Sequence, residues 1–379
     1  MPHQLNAEQE MIRLMARDFA RKELEPYAAE RDREGIFPLD VVKKMGDLGF
    51  LGMMVPPEYG GAGAGAVSYC LAVQEIAYSC ASTAVTMSVA NLSTEPLLKF
   101  GDESQKRRYL ERLARGELLG CFALTEPGAG SDPGSLRLRA EDRGDHFLLN
   151  GTKVFITHGA YADVVNLIAR TGPDKGNKGL SAFIVERGTP GFRVGATEKK
   201  MGLRASNTVE LVFEDCKVPR ENLVGRPGLG FTIAMTALDS GRIGIASQAT
   251  GIARACLDEA VAYARQRRQF GRTIGSFQAI QWMIADMATS IEASHLLTLE
   301  AARSKDLGLP FTSQASMAKL FASETANKAA YHCLQIHGGY GYTMDFKVER
   351  LYRDARATTI YEGTSEIQRL VIARRFLKE

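Results

Sequence analysis

The sequence has no marked excess of charge of either sign. Its 379 residues carry 47 basic and 44 acidic side chains, which gives a formal net charge of +3. Such a balance produces little long-range field for nucleic acid or for an anionic membrane, so phosphate-bearing partners have to be bound by local clusters. Glycine and proline, at 37 and 13 residues, are too few for a low-complexity chain. The composition indicates a folded protein that does not have nucleic acid as its default partner.

Cysteine clusters and long apolar runs are also missing. The six cysteines are widely scattered, with no Cys-x-x-Cys pair and no Cys/His spacing typical of zinc. This pattern favours a reducing compartment and predicts no metal site. No stretch approaches 18 uninterrupted apolar residues, so no membrane span is expected. Because Glu8 precedes any apolar run, unlike a secretory signal, we expect a bacterial cytoplasmic protein or a mature mitochondrial matrix protein.

Three blocks of different texture divide the chain. The first and last blocks have helical periodicity, and the last has three segments long enough for major helices, at 243–267, 276–307 and 314–336. The middle block has short β-branched runs between turn signals, at 146–149, 153–157, 164–169, 181–186 and 209–213. Because the strands are grouped and do not alternate with helices, a doubly wound parallel sheet is disfavoured. We predict an α+β multidomain fold with an N-terminal helical domain (1–124), a middle antiparallel β domain (125–229) and a C-terminal four-helix-bundle-like domain (230–379).

Two glycine-containing segments predict turns. Asn150-Gly151 lies between two of the β-branched runs, and both positions of a two-residue hairpin turn favour positive φ. We therefore expect a β-hairpin that reverses at this dipeptide. The glycine-rich stretch 60–66 follows Pro56-Pro57 without a clean preceding strand. We interpret it as an interhelical loop and not as a dinucleotide-binding loop.

Three dense segments contain the candidate chemistry. In residues 122–135, Gly128 and Gly130 would permit a close backbone approach to a ligand, and Thr125 and Ser131 add hydroxyl groups. The alternative is an elaborate Ser/Gly turn. The other two segments are 335–342, with the sequence Gln-Ile-His-Gly-Gly-Tyr-Gly-Tyr, and 360–369.

Glu362, in the third segment, is the candidate general base. Ser365 with Gln368 fits a capping box, which predicts a helix beginning at about Ser365 and leaves Glu362 in the loop before it. Gly363 would permit an unusual backbone angle beside it. A carboxylate in such a loop suits proton abstraction. For an isolated glutamate, a solvated or capping role is the common alternative.

Together the three segments resemble the acyl-CoA dehydrogenase family, and the resemblance covers essentially the whole chain. Residues 123–135 and 335–354 match the two long family signatures, and Tyr361-Glu362-Gly363-Thr364 follows at the expected distance. The family also has the order helical, β, helical. The resemblance implies FAD-dependent dehydrogenation of acyl-CoA thioesters to trans-2-enoyl-CoA. In that reaction Glu362 would take the α-proton, flavin N5 would take a hydride, and an electron-transferring flavoprotein would receive the electrons.

The resemblance also assigns residues to FAD. Those of the home subunit are Phe122, Leu124, Thr125, Ser131, Phe155, Thr157, Thr364 and Glu366. A neighbouring subunit would supply Arg267, Phe270, Gln278, Gln335 and Gly339. Sharing of this kind implies an oligomer, which in the family is usually a homotetramer built as a dimer of dimers. Considered without the resemblance, Arg267 is more typical of a solvated helix end.

For the acyl-CoA substrate, the resemblance assigns Ser131, Asp239, Arg242, Tyr361 and Gly363. Considered without it, Asp239 and Arg242 are typical of a surface ion pair. Gly241 occupies the helix position at which isovaleryl- and long-chain-type relatives carry their catalytic glutamate. Glu362 is therefore the only candidate base.

Some positions bear on specificity. The family's usual Trp-Ile-Thr-Asn run reads Phe155-Ile156-Thr157-His158 here. Phe155 keeps an apolar cover but lacks the indole N–H, which concerns flavin shielding and docking of the electron acceptor. We interpret His158 as a partly exposed loop histidine. Residues 81–89 contain no Lys or Arg to pair with a second carboxylate, which argues against glutaryl-type substrates, and other segments resemble butyryl-CoA-type members. We expect a C4 to C6 acyl preference.

Three alternative functions stay open. An acyl-CoA oxidase would pass its electrons to O₂, although classical oxidases carry an extra C-terminal domain. A branched short-chain acyl-CoA dehydrogenase would use the same base. An inactive flavin-binding member with a binding or DNA-associated role would favour a lost base and a basic patch, whereas this sequence has Glu362 and near-neutral charge.

Overall fold

The protein is described by a computed structural model that covers residues 4–172 and 176–377. Its N-terminal part contains six α-helices: α1 (Ala7–Phe19), α2 (Ala28–Glu34), α3 (Leu39–Asp47), α4 (Gly65–Ser79), α5 (Ala81–Phe100) and α6 (Glu103–Ala114). Asn6 and Gln9 form a reciprocal capping box at the start of α1, and Asp102 and Gln105 form one at the start of α6. Helices α4 and α5 are apolar around most of their circumference and are almost wholly buried.

The middle part is a β-sheet. Its strands are β1 (Gly120–Ala123), β2 (Arg139–Asp142), β3 (His146–Thr157), β4 (Val164–Arg170), β5 (Leu180–Glu186), β6 (Phe192–Thr197), β7 (Thr208–Pro219) and β8 (Leu223–Val224). The strand order is β6-β7-β3-β2-β4-β5-β8, with β1 paired to β4. Most neighbours are antiparallel, as expected, but β4 pairs in parallel with both β1 and β2. The sheet is therefore mixed.

The predicted hairpin at Asn150-Gly151 is wrong. Strand β3 runs through this dipeptide without reversing, and its register against β7 shifts between Leu149 and Gly151. The side chain of Asn150 reaches across to Asp215, accepting from the Asp215 backbone N–H at 2.9 Å and donating to Oδ1 at 3.0 Å. The extra residue of this β-bulge lies on β7, opposite the dipeptide, and the cross-strand contact satisfies the asparagine that would otherwise favour a turn.

The C-terminal part consists mainly of long helices. They are α7 (Gly230–Gln266), α8 (Gln278–Asp306), α9 (Thr312–His337), α10 (Val348–Ala357) and α11 (Ser365–Leu377), with two short strands, β9 (Arg268–Gln269) and β10 (Arg272–Thr273), after α7. Helices α7, α8 and α9 pack on one another, and α10 and α11 pack on α9. These helices confirm the predicted order of helical, β and helical parts.

The buried cores show how the parts are joined. One continuous apolar cluster combines residues of α1, α3, α4 and α5 with residues of α7, α8, α9 and α10. The sheet has a separate cluster on one side, and its other side packs with α6 and the start of α7. The two helical blocks, although distant in sequence, therefore share one core. Within the described ranges, no helix combines the length and apolar character that crossing a bilayer requires.

Candidate active site

Glu362 lies in the turn between α10 and α11, and the predicted start of the following helix at Ser365 is confirmed. Glu362 has a φ of 53° and Gly363 a φ of 87°, so a non-glycine residue adopts the left-handed conformation here. The predicted capping box is wrong. Thr364 Oγ1 accepts from a backbone N–H three residues further on, at 3.4 Å. Gln368 Nε2 instead donates to the carbonyl oxygens of Glu362, at 3.1 Å, and Gly363, at 2.9 Å, and so holds the turn.

The carboxylate of Glu362 packs against α7. Its Oε2 atom is buried and has no hydrogen-bond partner among the described residues. A Cβ atom at Gly241 would lie 2.4 Å from this oxygen, so only glycine leaves the carboxylate room. Burial raises the pKa of Glu362 to about 7, while the positive charges of Arg242 and Lys319 act in the opposite direction. A carboxyl group that titrates near neutral pH is suited to act as a general base.

Arg242 lies beside Glu362 and is only 3% exposed, so the interpretation as a surface pair is wrong for it. Its Nη1 donates to Asp239 Oδ1 at 2.6 Å and to Ser316 Oγ at 3.4 Å. Burial lowers the pKa of Arg242 and raises that of Asp239. The Nε atom of Arg242 is buried and unpartnered among the residues that the structure describes. The guanidinium therefore has a donor left for a ligand.

Two buried polar residues that contact this turn, Gln248 and Lys319, were not singled out from the sequence. The Tyr361 hydroxyl donates to Gln248 Oε1 on α7. Lys319 Nζ on α9 donates to the Gly363 carbonyl oxygen at 2.7 Å. A signal for Lys319 exists in the sequence, because a lysine there interrupts a helix face of small residues that includes Ala315, Ala318 and Ala322. Gln248 has no comparable signal.

Tyr69, on α4, is buried close to Glu362. A Cβ atom at Gly244 would lie 2.4 Å from the Tyr69 hydroxyl oxygen and 3.2 Å from Ser88 Oγ on α5. Gly244 follows Gly241 by three residues, about 4.5 Å along α7. The glycine face of α7 that makes room for the Glu362 carboxylate is thus occupied by a tyrosine hydroxyl roughly one helical turn further on.

The C-terminal ends of β1 and β3 bring together two of the segments assigned to the flavin. Phe122 lies on β1, and the Thr125 carbonyl oxygen just beyond it accepts from the backbone N–H of Val154 on β3, at 2.9 Å. Phe155, next on β3, has a φ of 59° and a 63% exposed side chain. A large exposed aromatic side chain is available to cover a planar ligand. Leu124 and Thr157 are half-buried at these strand ends, and Ser131 is exposed in the loop after β1.

His158 differs from expectation. It is fully buried, not partly exposed, and its Nδ1 lies 3.3 Å from the Gly120 carbonyl oxygen. Burial lowers its pKa to about 4, so the ring is neutral at physiological pH. Its edge-to-face contact with Phe37, at a centroid distance of 5.8 Å, joins the sheet to the N-terminal part. The packing of a distant segment, which the local sequence does not reveal, accounts for its burial.

The residues assigned to a neighbouring subunit lie around a second cleft of about 520 Å³. Arg267, Gly339 and Tyr340 line it, and the Arg267 guanidinium carbon lies 5.4 Å from the centroid of the Tyr340 ring. Phe270, with a φ of 51°, is 94% exposed nearby on the turn after α7. Gln278, at the start of α8, and Gln335, near the end of α9, are also exposed. Arg267 is half-buried, and not a fully solvated helix end.

A single chain does not bring the two clusters together. Arg242 and Arg267 are separated by most of α7, about 37 Å at the rise of an α-helix. Thr364 and Glu366 lie with Glu362 at one end, Thr364 as the residue before α11 and Glu366 exposed in its first turn. Thr364 and Glu366, predicted for the home subunit, therefore lie far from Arg267, predicted for a neighbouring subunit, on the same chain.

Comparisons with known proteins agree over the whole length. The acyl-CoA dehydrogenase N-terminal, middle and C-terminal domain models match residues 6–117, 121–216 and 228–377. The mitochondrial short-chain specific acyl-CoA dehydrogenase of Mus musculus is 52% identical over 370 residues, 97% of this chain and 90% of the mouse protein. Members of this family are flavoproteins, and a tetramer is typical of them.

Two solved structures are similar over their full length. Butyryl-CoA dehydrogenase from Megasphaera elsdenii has a TM-score of 0.98 and 44% identity, with both chains covered completely. A chain in the structure of the electron transferring flavoprotein of Acidaminococcus fermentans also has a TM-score of 0.98, with 47% identity and complete coverage of both chains. The chain therefore belongs to the acyl-CoA dehydrogenase family of flavoprotein oxidoreductases.

Proposed function

We propose that the protein catalyses the FAD-dependent α,β-dehydrogenation of short-chain acyl-CoA thioesters to trans-2-enoyl-CoA, with Glu362 as the base. The observation that supports this most strongly is the Glu362 carboxylate, whose Oε2 is buried and unpartnered among the described residues and whose pKa is raised by desolvation to about 7. Glu362 takes the α-proton, and the electron pair of that C–H bond forms the new C=C bond. FAD, when bound, accepts the hydride from the β-carbon at N5.

The residues at the C-terminal ends of β1 and β3 fit a flavin. A Cβ atom at Gly128 or Gly130 would meet nothing within 4 Å, so the loop backbone is open to a ligand. Beside it Phe155 presents an exposed ring. In this proposal the home-subunit contacts are Phe122, Leu124, Thr125, Ser131, Phe155, Thr157, Thr364 and Glu366.

The second cleft fits the pyrophosphate end of a flavin held by another subunit. The Arg267 guanidinium supplies a fixed positive charge with several donors, which suits a phosphate. Gly338 and Gly339 have nothing within 4 Å of an added Cβ atom, so the backbone is accessible there too. We therefore propose a homotetramer in which Arg267, Phe270, Gln278, Gln335 and Gly339 complete the partner's site.

Residues around the base support binding of a short acyl-CoA. Asp239, Arg242, Tyr361, Gly363 and Ser131 are the proposed substrate residues. The unpartnered Nε of Arg242 provides a buried donor near Glu362. Tyr69 limits the space along α7 to roughly one helical turn beyond the base, about 5 Å, which holds few methylene groups. This supports a C4 to C6 preference, as does the similarity to butyryl-CoA and short-chain enzymes.

The relatives support proposals for the electron acceptor and the location. The similarity to a chain that was solved with an electron transferring flavoprotein supports such a flavoprotein as acceptor. Bacterial and mitochondrial relatives support a bacterial cytoplasmic or a mature mitochondrial matrix location.

Anaerobic titration of the purified holoenzyme tests the proposal. Butyryl-CoA should bleach the flavin absorbance of the wild-type protein and leave that of Glu362→Gln unchanged. Acyl-CoAs of graded length should give the highest kcat/KM at C4 to C6. A colourless protein that takes up no flavin, or bleaching that persists in Glu362→Gln, would refute the mechanism. Oxygen consumption at the turnover rate would identify an oxidase instead.

A further inference from the structure

Lys319 occupies an unusual place for a charged side chain. It lies on α9, is fully buried, and donates from Nζ to the Gly363 carbonyl oxygen at 2.7 Å. The same carbonyl oxygen accepts from Gln368 Nε2 at 2.9 Å. Gly363 is the second residue of the left-handed turn that presents Glu362. An ammonium group thus reaches the turn from one side and an amide group reaches it from the other.

The charge of Lys319 is not neutralised by direct contact. In the described part of the chain, no carboxylate oxygen lies within ion-pair distance of its Nζ. The charged groups that act on it are Glu362 from the turn, Arg242 from α7, Glu366 from α11 and Glu324 from α9. Glu366 and Glu324 lie in more exposed positions. Burying an ammonium group without a bonded counter-ion is costly, and a function of its charge would explain its presence.

We propose that Lys319 is a positioning residue for the base: its ammonium group fixes the Gly363 carbonyl, and thereby the strained turn, and its charge favours the ionised form of Glu362. This inference rests on the proposed role of Glu362 and adds to it a residue that does not contact the reacting atoms. Arg242 contributes a second positive charge to the same carboxylate, but Asp239 is bonded to it at 2.6 Å and offsets that charge.

The titration behaviour of the two groups agrees with the geometry. Burial raises the pKa of Glu362 to about 7, against the opposing charges of Arg242 and Lys319. Burial lowers the pKa of Lys319 to about 8, so the ammonium form persists through neutral pH. The charge of Lys319 opposes the effect of burial on Glu362. Removing this charge should therefore raise the pKa of Glu362 further. A smaller fraction of the base would then be ionised at neutral pH.

Two substitutions separate the charge of Lys319 from its hydrogen bond. Lys319→Met removes both, and Lys319→Gln removes the charge but keeps an amide donor near the Gly363 carbonyl. The rate of flavin reduction by butyryl-CoA is followed against pH in the holoenzyme. The midpoint of the acid limb of this pH profile should move up by about one pH unit in both variants. A shift of this size in the pKa is what one nearby charge produces through a partly polarisable interior. At high pH, Lys319→Gln should be the faster of the two.

A second readout does not depend on turnover. The carboxylate infrared band of Glu362, identified by its absence in Glu362→Gln, is titrated without substrate in each protein. Its midpoint should move in the same direction as the kinetic one. Because Lys319→Gln retains the donor, it decides the outcome even if Lys319→Met does not fold.

Lys153 provides a matched control. It is also fully buried, but it is ion-paired with Glu126 at 2.8 Å and donates to the Leu124 carbonyl oxygen at 2.8 Å. Because Leu124 is a proposed flavin contact, the control compares the pH midpoint and not the rate. Lys153→Met should lower the thermal midpoint and leave the pH midpoint of flavin reduction in place. If both Lys319 variants keep the wild-type pH midpoint of flavin reduction and Glu362→Gln is inactive, the inference about Lys319 is overturned and the proposed function is not. Flavin reduction that persists in Glu362→Gln would instead overturn the proposed function itself.

Discussion

The space that glycine leaves beside the base can be tested with Gly241→Ala. The new Cβ atom would lie 2.4 Å from Oε2 and 3.0 Å from Cδ of Glu362, whereas ordinary contacts are 3.4 to 4 Å. The carboxylate therefore has to move by about 1 Å, a misplacement that costs about 100-fold in rate. Oε2 is the free end of a flexible side chain, and alanine is the better helix former, so stability should not fall. Anaerobic stopped-flow measurement of flavin reduction by butyryl-CoA gives the rate.

Gly251→Ala on the same helix is the control for packing. Its Cβ atom would lie 2.4 Å from the backbone carbonyl oxygen of Gln74, which cannot rotate away. Overpacking of this kind costs about 1–3 kcal/mol, so the thermal midpoint should fall. A wild-type rate of flavin reduction in Gly241→Ala would show that the Glu362 carboxylate does not react from the position described.

Four further predictions concern the acyl space, the base, the sheet and the buried histidine. Tyr69→Ala should shift the highest kcat/KM toward longer acyl chains, and an unchanged chain-length profile would contradict the boundary at Gly244. Flavin reduction by butyryl-CoA should rise as pH increases through about 7, because only the ionised Glu362 accepts a proton; a flat profile across neutral pH would argue against this base. Lys153→Met should destabilise the protein by about 3 kcal/mol, seen as a lower thermal midpoint, because it leaves the buried Glu126 charge without its ion pair. His158→Asn should leave the pH profile unchanged, because burial keeps His158 neutral over this range; a displaced acid limb would contradict that assignment.

The order of the parts and the position of the base could be predicted from the sequence. Helical periodicity and grouped β-branched runs are local signals, and they give the helical, β, helical order. The interpretation of stretch 60–66 as an interhelical loop agrees with the structure for residues 60–64, which lie between α3 and α4, whereas residues 65–66 begin α4. The predicted helix start at Ser365 places Glu362 in the loop before α11, where the structure has it.

The errors share a physical cause, which is that partners distant in sequence determine the local structure. Asn150-Gly151 favours a hairpin turn by itself, yet β3 stays extended through it, because Asn150 bonds Asp215 in a bulge of the neighbouring strand β7. Gln368 fits a capping box, but its side-chain amide instead donates to the carbonyl oxygens of the preceding turn. The burial of Arg242 and His158 likewise depends on packing between parts of the chain that are far apart in sequence.

The central claim is that Glu362 removes the α-proton, and exchange of that proton with solvent tests it most directly. An acyl-CoA analogue with sulphur in place of the β-methylene cannot lose a hydride from that position but keeps its α-protons. In D₂O, the wild-type holoenzyme should replace an α-proton with deuterium, as followed by NMR, and Glu362→Gln should not. Exchange at the wild-type rate in folded, flavin-loaded Glu362→Gln would contradict the account.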